Sequence, residues 1–131
     1  MTTTDTFKPL RGFISRSQAL IVGEAMAGEE GEWFAAKMAE IAEIIRAMPK
    51  TYGQDGKGDQ AVAHLHYFTG GCNWYITEKD QESEQLQAFG LADLGHGGEI
   101  GYISLVELLE NDVELDFHFR PKTLAEIQKG T

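Results

Sequence analysis

Phe34, Met38, Ile41, Ile45 and Met48 recur at steps of four, three, four and three. That spacing is the apolar stripe of one helix face and predicts a helix from about Glu32 to Ala47. Glu29, Glu30 and Glu32 stand at its start, where the helix dipole favours negative charge, and Pro49 ends it. Upstream, Ser15-x-x-Gln18 fits a capping box and opens a shorter helix through about Met26, stopped by Gly28. Residues 1–12, polar and broken by Pro9 and Gly12, read as a flexible arm, and residues 13–48 as a helical part.

Residues 50–60, "KTYGQDGKGDQ", carry three glycines and read as a loop. Beyond it, in residues 61–131, the apolar period shifts to two. Strands are predicted near 61–68, 73–78, 86–93, 100–103 and 113–119. Ser104-x-x-Glu107 opens a short helix to about Glu110, and Thr123-x-x-Glu126 opens another after Pro121. The residues before the loop are too few to form a core of their own, so residues 1–131 read as a single domain. The fold class is α+β: two N-terminal helices packed on a mostly antiparallel sheet of about five strands, with two short later helices.

"HLHYFTGGCNWYITEKD", residues 64–80, concentrates the unusual side chains. With Gly70-Gly71 as a two-residue type I′ turn, Thr69 opposes Cys72, Tyr67 opposes Trp74 and Leu65 opposes Ile76. Opposed residues point the same way, so Leu65, Tyr67, Trp74 and Ile76 form a core face. The other face pairs His66 with Tyr75, His64 with Thr77 and Phe68 with Asn73, aromatic and polar but uncharged. His64 and His66 share that face with Cβ atoms about 7 Å apart, a separation that suits a shared metal. Alternation through "VELDFHF" offers His118 as a third ligand. No Cys-x-x-Cys or His-x-x-x-His spacing accompanies them, and structural histidines on a sheet face are the default. Cys72, a turn-flanking thiol with no evident base, reads as inert.

Charge changes this picture. Eleven basic residues stand against 21 acidic ones, a net charge of -10. That disfavours direct binding to nucleic acid, which needs lysine and arginine to neutralise phosphate, and disfavours an anionic membrane surface. Beyond Glu29, Glu30 and Glu32, the acids gather as Asp80, Glu82 and Glu84, and as Glu107, Glu110, Asp112, Glu114 and Asp116. The last group could join a helix to a strand in one patch, suited to a partner with a basic surface. No signal-like apolar core or spanning segment is visible, and a lone cysteine fits a reducing cytosol, so the expected location is the cytoplasm of a bacterial host.

Other constellations are weaker. "LADLGHGGEIGYIS" lacks a Walker lysine and a dinucleotide spacing, and reads as a hairpin turn with His96 at its tip. Glu78 with Asp80, and Asp93 with Glu99, are carboxylate pairs without a defined separation. Arg120 and Lys122 beside Phe117 and Phe119 are too few to read nucleic acid. No nucleophile elbow occurs, so no catalytic residue and no cofactor is expected.

The stretches "MPKTYGQDGKGDQAVAHLHYFTGGCNWYITEKD", "QLQAFGLADLGHGGEIGYISLVELLENDVELDFHF" and "PKTLAEI", within residues 48–127, resemble a family of small proteins encoded on phages, conjugative plasmids and integrative elements, known only as a domain of unknown function. The resemblance implies an accessory role on a mobile element and assigns no catalytic residue. Joined to the charge, it leads to a first expectation: an acidic binding protein that antagonises a host nucleic-acid-handling or defence complex, of the anti-CRISPR or anti-restriction type. Its contact residues would be Glu107, Glu110, Asp112, Glu114 and Asp116. The alternatives are a small metal-dependent enzyme or module using the His64/His66 sheet face, with His118 as a further candidate ligand, and a structural accessory of conjugation or replication.

Overall fold

The computed structural model describes residues 10, 12–54, 56–81, 87–95 and 97–129. Most of the predicted N-terminal arm, Glu82, Glu84 and the loop tip at His96 lie outside the described residues. Helices α1 (Arg16–Ala27) and α2 (Gly31–Ala47) come first, followed by a 3₁₀ turn over Gly58–Gln60. Then follow β1 (Val62–Ala63), β2 (Leu65–Thr69), β3 (Cys72–Glu78), β4 (Gln87–Asp93), β5 (Gly98–Ser104), α3 (Leu105–Glu110), β6 (Glu114–Leu115), β7 (Lys122–Thr123) and α4 (Leu124–Gln128). The predicted α+β class holds. An antiparallel sheet in the order β5-β4-β3-β2-β6 carries helices on one face, and β1 pairs with β7 in a small second sheet.

Of the predicted α2 stripe, Phe34 is only half-buried and stands outside the main core, whereas Met38, Ile41, Ile45 and Met48 are buried. They meet Leu65, Tyr67, Ile76, Ala88, Ile103, Leu105 and Leu108 in the main core. Burying each large apolar side chain contributes about 1.5–3 kcal/mol. Leu10 is buried there too, so the end of the predicted arm is part of the core. Tyr67, fully buried, donates its hydroxyl to Phe13 O. A smaller cluster of Ala61, Ala63, Leu91 and Leu124, with Tyr75, Phe119 and Ile127 against it, covers the opposite face of the sheet.

Of the predicted capping boxes, the one at Thr123 and Glu126 closes completely. Ser15 and Ser104 accept from the Gln18 and Glu107 backbone amides, but the Gln18 side chain turns away to Leu115. Three strand predictions are corrected. The 61–68 strand breaks at His64 into β1 and β2. The strand predicted at 100–103 runs from Gly98 to Ser104 as β5. The 113–119 strand is reduced to Glu114–Leu115, because Asp116 Oδ1 accepts from the His118 amide at 2.9 Å and bends the chain.

Candidate functional site

The β2–β3 hairpin has the predicted register: Leu65 opposes Ile76, His66 Tyr75, Tyr67 Trp74, Phe68 Asn73 and Thr69 Cys72. Only Gly70 of the two turn glycines takes a left-handed φ, 53°, so the turn is not the expected type I′. On the outer face the His66 ring stacks on Tyr75, with centroids 4.6 Å apart and planes 8° from parallel. His66 Nδ1 lies 2.9 Å from Asp116 Oδ2, and Nε2 lies 2.7 Å from Asn73 Oδ1. This face is therefore not uncharged, as alternation alone implied: the bend after β6 brings Asp116 onto it.

That arrangement occupies both His66 nitrogens. His64 is half-buried, and burial holds its imidazole below the ordinary value. His118 is exposed beside Trp33, ring centroids 6.2 Å apart, and not where strand alternation placed it. Among the described residues no group of three or more His, Cys, Asp or Glu could hold a metal ion, so His64, His66 and His118 are not brought together as a ligand set. Cys72 is partly exposed beside the turn. In the glycine-rich loop, Gly95 N donates to Asp93 Oδ1 at 3.0 Å, and Gly95 and Gly97 take φ of 106° and 97°. It is the tight connection of β4 to β5, as predicted.

The acidic residues of the third cluster divide. Glu107 and Glu110 on α3, Asp112 in the turn and Glu114 on β6 are all exposed, and none enters the ion pairs formed among the described residues. Asp116 is turned inward, with both carboxylate oxygens engaged by His66 and the His118 amide. Glu114 opposes Phe68 across β6 and β2, at the open edge of the sheet. Phe68 is 36% exposed, so acid and aromatic stand side by side there. An adjoining groove of about 490 Å³ is bordered by Thr69, Trp74, Leu94, Glu107 and Val113.

A second feature escaped the reading of the sequence. The β3–β4 register shifts between Ile76 and Glu78, so that Glu78 opposes Phe89. Plain alternation would place Glu78 with Trp74 and Ile76 on the core face; the bulge re-aims it to the opposite face, shared by Phe89 and its partner Tyr102. Glu78 is 3% exposed. It borders a cavity of about 500 Å³ with Thr51, Tyr52, Gln54, Thr77, Phe89 and Ile100. Gln54, also buried, holds the adjacent loop by donating to Val62 O and Thr77 O, both at 2.9 Å, and accepting from Val62 N at 2.7 Å. At the rim the Tyr52 and Tyr102 hydroxyls are 2.8 Å apart. That hydrogen bond chiefly raises the Tyr102 phenol above its ordinary range; slight burial, the Tyr52 charge and the Glu78 charge add to it.

Residues 35–125 match the profile of a family described as proteins of unknown function, DUF2958, and the chain belongs to that family. The match takes in most of α2, every described strand and the cavity residues, and leaves out α1. No solved structure matches the chain.

Proposed function

We propose that the protein is an acidic contact module, encoded on a mobile genetic element, that antagonises a host nucleic-acid-handling or defence complex of the anti-CRISPR or anti-restriction type in the bacterial cytoplasm. The observation that supports this reading is the segment Glu107–Glu114. Four exposed carboxylates with no basic partner among the described residues run along α3, its turn and the edge strand, ending beside the exposed Phe68 ring. Charge of one sign left unpaired on a surface attracts a basic partner and accelerates encounter, while an adjoining aromatic supplies the desolvated contact. The partner on this reading is a protein subunit whose basic surface otherwise engages nucleic acid. Asp116, committed to His66, drops out of the contact set.

The test is a pull-down of the tagged protein from lysates carrying CRISPR-Cas and restriction systems, followed by association kinetics with the captured subunit. Glu107→Lys, Glu110→Lys and Glu114→Lys together are expected to slow association at least about 10-fold at low salt and to flatten its salt dependence. An unchanged association rate at low salt would overturn this assignment of the surface.

A further inference from the structure

Glu78 is the only buried carboxylate among the described residues, and it takes part in none of the ion pairs formed among them. The ammonium of the neighbouring Lys79 is directed elsewhere, onto Ile45 O at 2.7 Å and Arg46 O at 3.3 Å at the end of α2. The donors that reach Glu78 are meagre. The Gln54 backbone N–H lies 3.4 Å from Oε1, at the outer limit of a hydrogen bond. The Thr77 hydroxyl lies 2.5 Å from Oε2, but it also lies 3.1 Å from Phe89 O, and one hydroxyl proton serves two acceptors. A carboxylate removed from water is costly unless it is paired and fully hydrogen-bonded. The fold nonetheless spends a β-bulge on aiming it at a cavity.

The walls of that cavity are chosen as well. Phe89 and Ile100 line it, and Tyr102 packs edge-on against Phe89 with centroids 5.5 Å apart. Tyr52 closes the rim from the loop at φ 74°, a backbone conformation that a bulky residue rarely holds without tertiary enforcement. Tyr52 and Ile100, 64% and 50% exposed, border the cavity with Phe89, and Tyr102 backs Tyr52 and Phe89 from outside it, so apolar and aromatic side chains stand around a buried acid. Aromatic faces around a desolvated carboxylate recognise organic cations, and the net charge of -10 draws cations to the surface. A volume of about 500 Å³ is that of a small-molecule site.

We propose that this cavity is a receptor for an organic cation, an alkylammonium or guanidinium group, whose charge pairs with Glu78 while its alkyl stem lies against Phe89 and Tyr52. The cation is either a free amine or the arginine or lysine side chain of a protein. The site stands apart from the α3–β6 acids, so its fate and theirs are independent.

Calorimetric titration of the purified full chain decides the matter with three probes: agmatine, a capped Gly-Arg-Gly peptide, and neutral pentylurea. Agmatine is expected to bind one to one and pentylurea not to bind. Glu78→Gln, of the same shape without the charge, should weaken agmatine about 10- to 100-fold. Tyr52→Gly, which relaxes the backbone at φ 74°, should weaken it about 2- to 5-fold. Binding of agmatine identifies a free amine as sufficient; binding of the peptide alone identifies a protein side chain. Failure of both cations, equal binding of pentylurea, or wild-type affinity in Glu78→Gln would overturn the proposal. Should Glu78→Gln fail to fold, the contrast of agmatine with pentylurea and the Tyr52→Gly titration carry the decision.

Discussion

Gln18 of α1 and Leu115 of β6, 97 residues apart, exchange two hydrogen bonds: Gln18 Nε2 donates to Leu115 O at 2.8 Å, and Leu115 N donates to Gln18 Oε1 at 3.0 Å. The side-chain amide serves as one more rung on the open side of the edge strand. It satisfies backbone groups that burial would otherwise leave unpaired, and it ties the first helix to the sheet. Gln18→Ala removes the partners of both backbone groups of the buried Leu115 and should destabilise the fold by about 2–4 kcal/mol. Gln18→Glu should recover little, because a carboxylate cannot donate to Leu115 O. Urea unfolding of the two variants checks this.

Gly90 and Gly101 oppose each other across β4 and β5, yet only one needs to be glycine. A Cβ on Gly90 would lie 1.9 Å from Tyr75 O, whereas one on Gly101 would meet nothing within 4 Å. Gly90→Ala is expected to cost about 3 kcal/mol or to abolish folding, since a strand backbone must shift. Gly101→Ala should stay within about 1 kcal/mol of wild type. Thermal unfolding of the pair separates steric necessity from mere composition.

Tyr52 holds a left-handed φ of 74° on an exposed loop, and its hydroxyl contact with Tyr102 lies at the surface. Tyr52→Gly should therefore raise stability by about 1 kcal/mol. Differential scanning calorimetry would register this as a higher unfolding temperature. A stabilised variant that binds agmatine less well would mark Tyr52 as a position where the fold holds strain for the sake of the cavity.

Burial lowers the imidazole of His64 below 6.5, the value it has in an unfolded chain. In acid the unfolded chain takes up a proton that the folded chain resists. The contribution of His64 to stability is complete above about pH 7 and is lost as pH falls through 6.5, levelling once the folded imidazole also protonates. His64→Gln should flatten that segment of the stability profile, measured by urea unfolding at a series of pH values. A profile unchanged by the substitution would assign the effect to another group.

Much of the scaffold was legible because it is written in local terms. The stripe of Met38, Ile41 and Ile45 specifies a helix face. The spacing of Leu65 and Tyr67 around Gly70 specifies a hairpin register, which the structure reproduces pair by pair. The positions that defeated the reading share a different property. Asp116 leaves the predicted acidic patch because the chain bends after Leu115, and His118 leaves its predicted face for the same reason. Two residues are too short a strand for alternation to persist.

By itself the sequence determined the α+β class, both N-terminal helices, the β2–β3 pairing and the strongly acidic surface. These follow from period, capping chemistry and charge, which depend on residues near one another in the chain. The tertiary structure decided which acids remain free, which histidine is committed, and that Glu78 faces a cavity instead of the core. A β-bulge is an accommodation between β3 and its partner strand, and its single extra residue reverses the side on which Glu78, the last residue of β3, emerges. No reading of "YITEKD" in isolation contains that partner.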